Sequence, residues 1–138
     1  LMNQRAGEWG LKATHFTNAC GHDGKQHYSS AQDLAMLAAK ALDYPAFVEL
    51  VAKRALTIQS ADGSRSFALE NKNALMCRQP GGGGVKTGYT LTAGKGLIAL
   101  ARRAGGTVLL VMLHASDRWW DASDILDYAF SQNARHVS

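Results

Sequence analysis

Two stretches of apolar residues at helical spacing predict neighbouring helices in the first half of the chain. Ser30 and Asp33 have the Ser-x-x-acid form of a capping box, in which the two side chains satisfy backbone donors at a helix start. A helix is therefore predicted after Ser30, and Pro45 suits the first residue of a second helix. The apolar stripes comprise Leu34, Leu37, Ala38, Ala41 and Leu42, then Phe47, Val48, Val51 and Ala55. Both helices are interpreted as scaffold.

Turn signals separate two pairs of segments that have the apolar character of strands. Segments 55–59 and 65–69 alternate around Asp62-Gly63, a dipeptide that strongly favours a hairpin. Segments 96–103 and 107–114 flank a second glycine-containing turn, so they are predicted to be adjacent antiparallel strands.

The last strand and the helix predicted after it indicate how the sheet is covered. Val108 to Leu113 is apolar at every position, which suits a strand buried on both faces. Residues 123–132 carry a helical stripe that would cover one face, and Trp119 and Trp120 are interpreted as an anchor for the helix start. The other face needs the earlier helices or something outside this chain. The pattern predicts an α+β fold with a mainly antiparallel sheet flanked by helices.

The segment 80–90 carries the most distinctive chemistry. Its glycines lead into Lys86, Thr87 and Gly88, so that a cation, a hydroxyl and a position without a side chain follow one another. In a strand, Lys86 and Gly88 would face one way and Thr87 and Tyr89 the other. The polar groups can then act together only at a sheet edge or through a local twist. Gly88 would let a substrate or a catalytic side chain approach the strand closely.

Two other interpretations of this segment are open from the residues alone. A phosphate-binding loop needs Gly-x-x-x-x-Gly-Lys-Thr between a strand and a helix, but Val85 stands where the last glycine belongs. The residues after Thr87 would also start a helix poorly. In the other interpretation the glycines form a linker and Lys86 is a solvated surface charge. A nucleotide-binding domain is kept as the less favoured alternative function.

Composition narrows the class of protein only a little. The chain has 138 residues, 46% hydrophobic and 19% charged, with a formal net charge of +4, which fits one domain or a piece of one. Its 15 basic residues are scattered, so no nucleic-acid partner is expected. No apolar run reaches the roughly 18 to 20 residues of a membrane span, and no signal pattern opens the chain.

A polar loop ahead of the first scaffold helix contains side chains of the types that bind zinc. They are His15, Cys20, His22, Asp23 and His27. Neither Cys-x-x-Cys nor His-Glu-x-x-His is present, so neither a metal site nor a cofactor is expected. The segment from Glu70 to Asn73 has the composition of an exposed turn.

Four motifs occur in the order seen in one enzyme family. They are Thr14-His15-Phe16-Thr17-Asn18, Gly21-His22-Asp23 with the run from His27 to Leu34, Asn71-Lys72-Asn73, and Val85-Lys86-Thr87-Gly88-Tyr89-Thr90. From about Leu1 to Phe130 the chain resembles the D-alanyl-D-alanine carboxypeptidases, low-molecular-mass penicillin-binding proteins related to the serine β-lactamases. The resemblance implies a partial β-lactamase/transpeptidase-like domain, of which residues 1–138 are the C-terminal portion.

The resemblance also implies a role for each matching residue. In this family a Ser-x-x-Lys motif supplies the nucleophile and its base, a Ser-x-Asn motif relays protons, and Lys-Thr-Gly forms the opposite wall. Lys86 would add positive potential, Thr87 would bind the substrate's terminal carboxylate, and the Tyr89 backbone N–H would be an oxyanion donor. The implied substrate-binding set is completed by Gly88, Thr90 and Lys72.

The chain departs from the family pattern because it lacks the nucleophile. No serine is followed three residues later by a lysine, and the only Ser-x-Asn, Ser131-Gln132-Asn133, comes after Lys-Thr-Gly and is interpreted as chance. In the family both motifs lie upstream, so truncation is the expected explanation.

The expected function is therefore part of a serine-type peptidoglycan carboxypeptidase of the periplasm or cell envelope. Peptides ending in D-Ala-D-Ala, β-lactams and a missing N-terminal half of the domain are the expected partners. A catalytically inactive module that binds muropeptides is the alternative.

Overall fold

The computed structural model describes residues 1–104 and 106–135. Helices and strands follow one another along the chain in the order α1 Met2–Glu8, α2 Ala31–Leu42, α3 Pro45–Ala52, β1 Ala55–Gln59, β2 Ser66–Glu70, α4 Leu75–Arg78, β3 Gly82–Thr90, β4 Gly94–Arg103, β5 Gly106–Ala115 and α5 Arg118–Arg135. Within these ranges, no helix combines the length and the apolar character needed to cross a bilayer.

Antiparallel pairing organises both sheets of the described chain. β1 and β2 form a two-stranded hairpin, and β3, β4 and β5 form a three-stranded sheet in that order. The α+β fold, the hairpin at Asp62-Gly63 and the antiparallel pair after the Lys-Thr-Gly segment are therefore confirmed.

The predicted helix start at Ser30 is correct, but only half of the capping box forms. The Ser30 hydroxyl accepts a hydrogen bond from the Asp33 backbone N–H at 3.1 Å. The buried Asp33 carboxylate instead accepts bonds from Ala13 N at 2.8 Å and the Thr14 hydroxyl at 2.7 Å. Asp33 thus joins α2 to the segment before it. Pro45 begins α3 as predicted.

The core lies between the sheet and α5. Alternate residues of β4 meet one face of α5, and the cluster comprises Leu75, Leu97, Ala99, Ala101, Ala122, Leu126 and Phe130. α5 begins at Arg118, five residues before the predicted start, because the Asp117 carboxylate caps it by accepting from Trp119 N and Trp120 N. Trp119 packs on the core, whereas the Trp120 side chain is exposed.

The prediction that β5 is buried on both faces is wrong for the described chain. Val108, Leu110 and Met112 pack against the core, but they are only partly buried. Leu109 and Val111 are half-buried and Leu113 is exposed, although α2 also packs against this strand. β5 lies at one end of the strand order, so it has a sheet neighbour on one side only among these residues. The described residues therefore bury the apolar side chains of β5 only in part.

Removing the Asp33 carboxylate is expected to destabilise the fold. In Asp33→Ala, Ala13 N and the Thr14 hydroxyl lose a charged acceptor in a partly buried place, which costs about 2–3 kcal/mol of unfolding free energy. The measurement is urea unfolding. Asp43→Ala, at the exposed C-terminal end of the same helix, is the control and is expected to change stability by less than about 0.5 kcal/mol. Equal effects in both variants would contradict the prediction.

The Asp62 carboxyl in the hairpin turn should have an unusually low pKa. Hydrogen bonds from the Ser60 hydroxyl, and from the backbone and hydroxyl of Ser64, lower the pKa of Asp62 from 3.8 to about 2. Since the folded pKa is depressed, this stabilisation is fully present above pH 3.8 and is lost as the pH falls through about 2. An NMR titration of the Asp62 carboxyl is the measurement. Ser60→Ala should raise the pKa towards 3.8, and a wild-type midpoint near 3.8 would refute the assignment.

Candidate active site

Lys86, Thr87 and Gly88 lie on β3, the strand at the other end of the sheet. They pair with Ile98, Leu97 and Gly96 of β4, so the predicted pairing with the 96–103 strand is confirmed. Beyond β3 the sheet has no further strand among the described residues. The Lys-Thr-Gly segment is therefore at a sheet edge, where groups on both faces of a strand can meet one ligand.

The register of β3 fixes which way these residues face. Thr87 pairs with Leu97, whose side chain is in the core beneath α5, and Thr87 is half-buried. Lys86 and Gly88 belong to the opposite face and are exposed. A register shift between Gly84 and Lys86 leaves Val85 as an extra residue. This bulge separates the glycine part of the strand from the Lys-Thr-Gly part.

The glycines before Val85 allow close backbone packing, and the interpretation of them as a flexible linker is wrong. Gly82, Gly83 and Gly84 are the first residues of β3. A Cβ on Gly81, whose φ is 68°, would lie 1.7 Å from the Arg102 carbonyl oxygen. The phosphate-loop interpretation is also wrong, because β3 turns into β4 and no helix starts there.

Arg118 adds a second cation beside the strand, and sequence reasoning missed it. Its Nη1 donates to the Gly88 carbonyl at 2.7 Å and to the Gly96 carbonyl at 3.2 Å. The guanidinium also lies 4.6 Å from the Trp119 ring centroid, and its buried Nε has no partner among the described residues. The available signal was a cation beside two tryptophans at the end of the last strand. Only the three-dimensional fold brings Arg118 into contact with Gly88, which is 30 residues away in the chain.

The turn that contains Lys72 packs against the beginning of β3. The Asn71 side chain donates to the Val51 and Lys53 carbonyls at 3.2 and 3.1 Å, and its Nδ2 would lie 3.3 Å from a Cβ on Gly84. Asn73 is buried, so the interpretation of the whole segment as an exposed turn is only half right. Lys72 itself is exposed.

Residues 17–24, which we call the rim loop, reach the other end of β3. The Thr90 hydroxyl donates to the Asp23 carboxylate at 2.7 Å and accepts from Ala93 N at 3.0 Å. Thr90 is thus engaged with protein groups on both sides. This contact brings the rim loop to the strand that carries the Lys-Thr-Gly segment.

His15 and His27 make hydrogen bonds to the backbone within and beside the rim loop. His15 Nδ1 donates to the Gln26 carbonyl at 2.6 Å, and His27 Nδ1 accepts from Thr17 N at 3.1 Å. Within the part of the chain that the structure describes, no three His, Cys, Asp or Glu side chains come close enough to share a metal ion. Cys20 and Cys77 are both exposed free thiols.

Comparison with known families places the chain in one class of peptidase. The family model described as D-alanyl-D-alanine carboxypeptidase matches residues 1–117. The chain belongs to the D-alanyl-D-alanine carboxypeptidase family, as the four motifs predicted.

Individual relatives agree with this assignment. The chain is 36% identical over 98% of its length to D-alanyl-D-alanine carboxypeptidase DacF of Bacillus subtilis, and 31% identical over 96% to a D-alanyl-D-alanine carboxypeptidase of Mycobacterium tuberculosis. It spans 35% and 47% of those two proteins.

Solved structures with the same fold have comparable identities. The crystal structure of the DD-transpeptidase of Streptomyces strain K15 superposes with a TM-score of 0.88 at 33% identity, over 94% of this chain and 52% of that one. A D-alanyl-D-alanine carboxypeptidase from Mycobacterium tuberculosis superposes with a TM-score of 0.83 at 31% identity, again over 94% and 52%. The partial transpeptidase-like fold is therefore confirmed.

Gly81, which precedes β3, and Gly88, near the end of β3, should respond differently to a methyl group. Gly81→Ala combines a left-handed φ with a backbone clash and is expected to lower the unfolding free energy by at least about 2 kcal/mol. Gly88→Ala meets nothing within 4 Å and should change it by less than about 0.5 kcal/mol. Thermal and urea unfolding measure both. A stable Gly81→Ala protein would refute the packing role of that glycine.

Proposed function

We propose that this chain is the C-terminal portion of a serine-type D-Ala-D-Ala carboxypeptidase domain and forms the Lys-Thr-Gly wall of its active site. The observation that carries the proposal is the edge strand β3, on which Lys86 and Thr87 stand beside Arg118 in a chain of this family. A peptidoglycan stem peptide ending in D-Ala-D-Ala is the proposed substrate, and the periplasm or cell envelope is the proposed location.

The wall has the groups needed to hold the substrate's terminal carboxylate. Lys86 supplies an exposed ammonium group whose Nζ contacts the Thr87 carbonyl, and Arg118 supplies a guanidinium group fixed to the strand. The Thr87 hydroxyl donates a hydrogen bond to the carboxylate, which is a strong bond because its acceptor is charged. Lys72 adds a third cation from the turn at the other end of β3.

The remaining residues of the strand act on the reacting carbonyl. Gly88 has no Cβ neighbour within 4 Å, which leaves room for a peptide beside the backbone. The Tyr89 N–H donates to the oxygen that becomes negatively charged in the tetrahedral intermediate. Thr90, whose hydroxyl is already bound to Asp23 and Ala93, supports this end of the strand.

The covalent step requires residues that this chain does not contain. A serine oxygen attacks the carbonyl of the penultimate D-Ala, the C–N bond breaks, and the terminal D-Ala leaves with a proton. Water then hydrolyses the acyl-enzyme. No Ser-x-x-Lys is present in the sequence, and the chain spans about half the length of its relatives. The complementary part of the domain would supply the nucleophile and its base.

Three serines, Ser29, Ser30 and Ser131, are poor substitutes for that nucleophile. The Ser29 hydroxyl contacts the Thr14 hydroxyl at 2.8 Å and the Ser30 carbonyl at 3.5 Å, and neither group is a base that could activate it. Ser30 is occupied as the N-cap of α2, and Ser131 donates to the Tyr128 carbonyl within α5. An inactive muropeptide-binding module is therefore the second candidate function for the chain by itself.

This chain alone is expected not to form a covalent adduct with penicillin. Loss of nucleophile and base together costs on the order of a millionfold in rate in serine proteases. Fluorescent penicillin is incubated with the chain, with and without the complementary half of the domain, and label that survives denaturation is measured. Labelling is expected only in the combined sample. Stable labelling of the chain alone would reveal a nucleophile in it, whereas an unlabelled combined sample would contradict the carboxypeptidase proposal.

Two lysine variants make that experiment specific for the wall. Lys86→Ala is expected to slow labelling of the combined sample by about a hundredfold, because a preorganised charge is lost. Lys40→Ala, an exposed lysine near the end of α2, is the control and should leave labelling unchanged.

Separately, the chain should bind a D-Ala-D-Ala peptide in preference to ATP, which distinguishes both peptidoglycan functions from nucleotide binding.

A further inference from the structure

We propose that Asp23 is a positioning residue for the active-site wall, because its carboxylate fixes the end of β3 to the rim loop through Thr90. The inference rests on the proposed function and extends it to a residue that makes no contact with the Lys-Thr-Gly segment itself. The link consists of the Thr90 hydroxyl, which is hydrogen-bonded to both Asp23 and Ala93.

The Thr90 hydroxyl links two segments that are 67 residues apart. It donates to Asp23 Oδ1 at 2.7 Å and accepts from Ala93 N at 3.0 Å. The first bond has a charged acceptor and is therefore stronger than a bond between neutral groups. The second bond closes the turn between β3 and β4. Asp23 thus holds both the last residue of β3 and the turn that follows it.

The same turn is fixed on its other side by β5. His114 Nδ1 donates to the Ala93 carbonyl at 3.2 Å, and His114 has a φ of 52°, which is unusual for a residue other than glycine. Gly94 packs so closely on this imidazole that a Cβ would lie 2.6 Å from Nδ1. With Asp23 present the turn is held from two directions, and without it from one.

The rim loop presents Asp23 from an ordered turn. Asn18 Oδ1 accepts from Gly21 N at 2.8 Å and from His22 N at 3.0 Å, and Asn18 Nδ2 donates to the His22 carbonyl at 3.0 Å. Three bonds from one side chain, two of them to His22, therefore fix the backbone just before Asp23. An ordered loop can restrain the strand, whereas a mobile one would only follow it.

Beyond its pairing with β4, the end of β3 receives little restraint from its own side chains. Gly88 has no side chain to limit its backbone, and Tyr89 is 61% exposed, so side-chain packing fixes neither residue. Besides the pairing of β3 with β4, the direction of the Tyr89 N–H is set by two contacts on either side of it. These are Arg118 on the Gly88 carbonyl and Asp23 on Thr90. Loss of the Asp23 contact should therefore misalign the oxyanion donor.

The link can be measured in the chain by itself through ¹⁵N relaxation. Asp23→Ala and Thr90→Val should each lower the order parameters of Tyr89 and His22 from about 0.85 towards 0.6, and the double variant should resemble Thr90→Val, which also loses the Ala93 bond. Asp23→Asn and Thr90→Ser keep the acceptor and the hydroxyl, so they should retain wild-type values. Asp62→Ala, which removes a serine-bound carboxylate from the distant hairpin, is the matched control. Unchanged values in Asp23→Ala, or additive effects, would overturn the proposal.

The catalytic consequence is measured by acylation in the sample combined with the complementary half. Asp23→Ala should lower the first-order acylation rate about tenfold and change the dissociation constant of a D-Ala-D-Ala peptide by less than about twofold, since the oxyanion donor acts in the transition state. Asp23→Asn should restore the rate. A wild-type rate in Asp23→Ala, or an Asp23→Asn variant as slow as Asp23→Ala, would overturn the positioning role. If the wild-type sample is not acylated, the proposed function and the catalytic part of this inference both fail, and the order parameters decide the link alone.

Discussion

The close approach of backbone to backbone along β3 determines where the Lys-Thr-Gly segment lies. A Cβ on Gly81 would be 1.7 Å from the Arg102 carbonyl oxygen, and one on Gly82 would be 2.5 Å from the Leu75 carbonyl oxygen. A side chain at either position would push the strand away from β4 or α4. Lys86 and Thr87 therefore depend on residues that carry no functional group at all. The bulge at Val85 then re-aims the strand before the polar residues begin.

Arg118 connects this edge to the hydrophobic core. Its helix packs on β4 through Ala122 and Leu126, and its guanidinium binds the carbonyl groups of Gly88 and Gly96. A cation held in this way has lost its freedom before any ligand arrives, so carboxylate binding would cost less entropy than binding to a free side chain. Substitutions of α5 residues in the core should accordingly alter the proposed site by shifting Arg118.

Local signals explain which parts of the fold the sequence predicted. Asp62-Gly63, the Ser30 cap and Pro45 each act within a few residues, so the hairpin and two helix starts were correct. The glycine run leaves a linker interpretation open because flexibility and close packing have the same sequence signature, and the neighbours that distinguish them lie elsewhere in the chain. Arg118 was missed for a related reason. Its role depends on a contact with Gly88 across 30 residues, which no spacing rule contains.

The site residues divide between what resemblance implied and what geometry adds. The motif implies roles for Lys86 and Thr87, and their position on an edge strand leaves them accessible to a ligand. The sequence suggests Asp23 as a candidate metal ligand and as part of a family motif, and in the structure its carboxylate binds a hydroxyl on β3. An acyl-transfer site needs charge-stabilising groups aimed in advance at one oxygen. In this chain the orientation of those groups would depend on two residues outside the motif, Arg118 beside the strand and Asp23 at its end. The motif alone would therefore not be sufficient to form the wall.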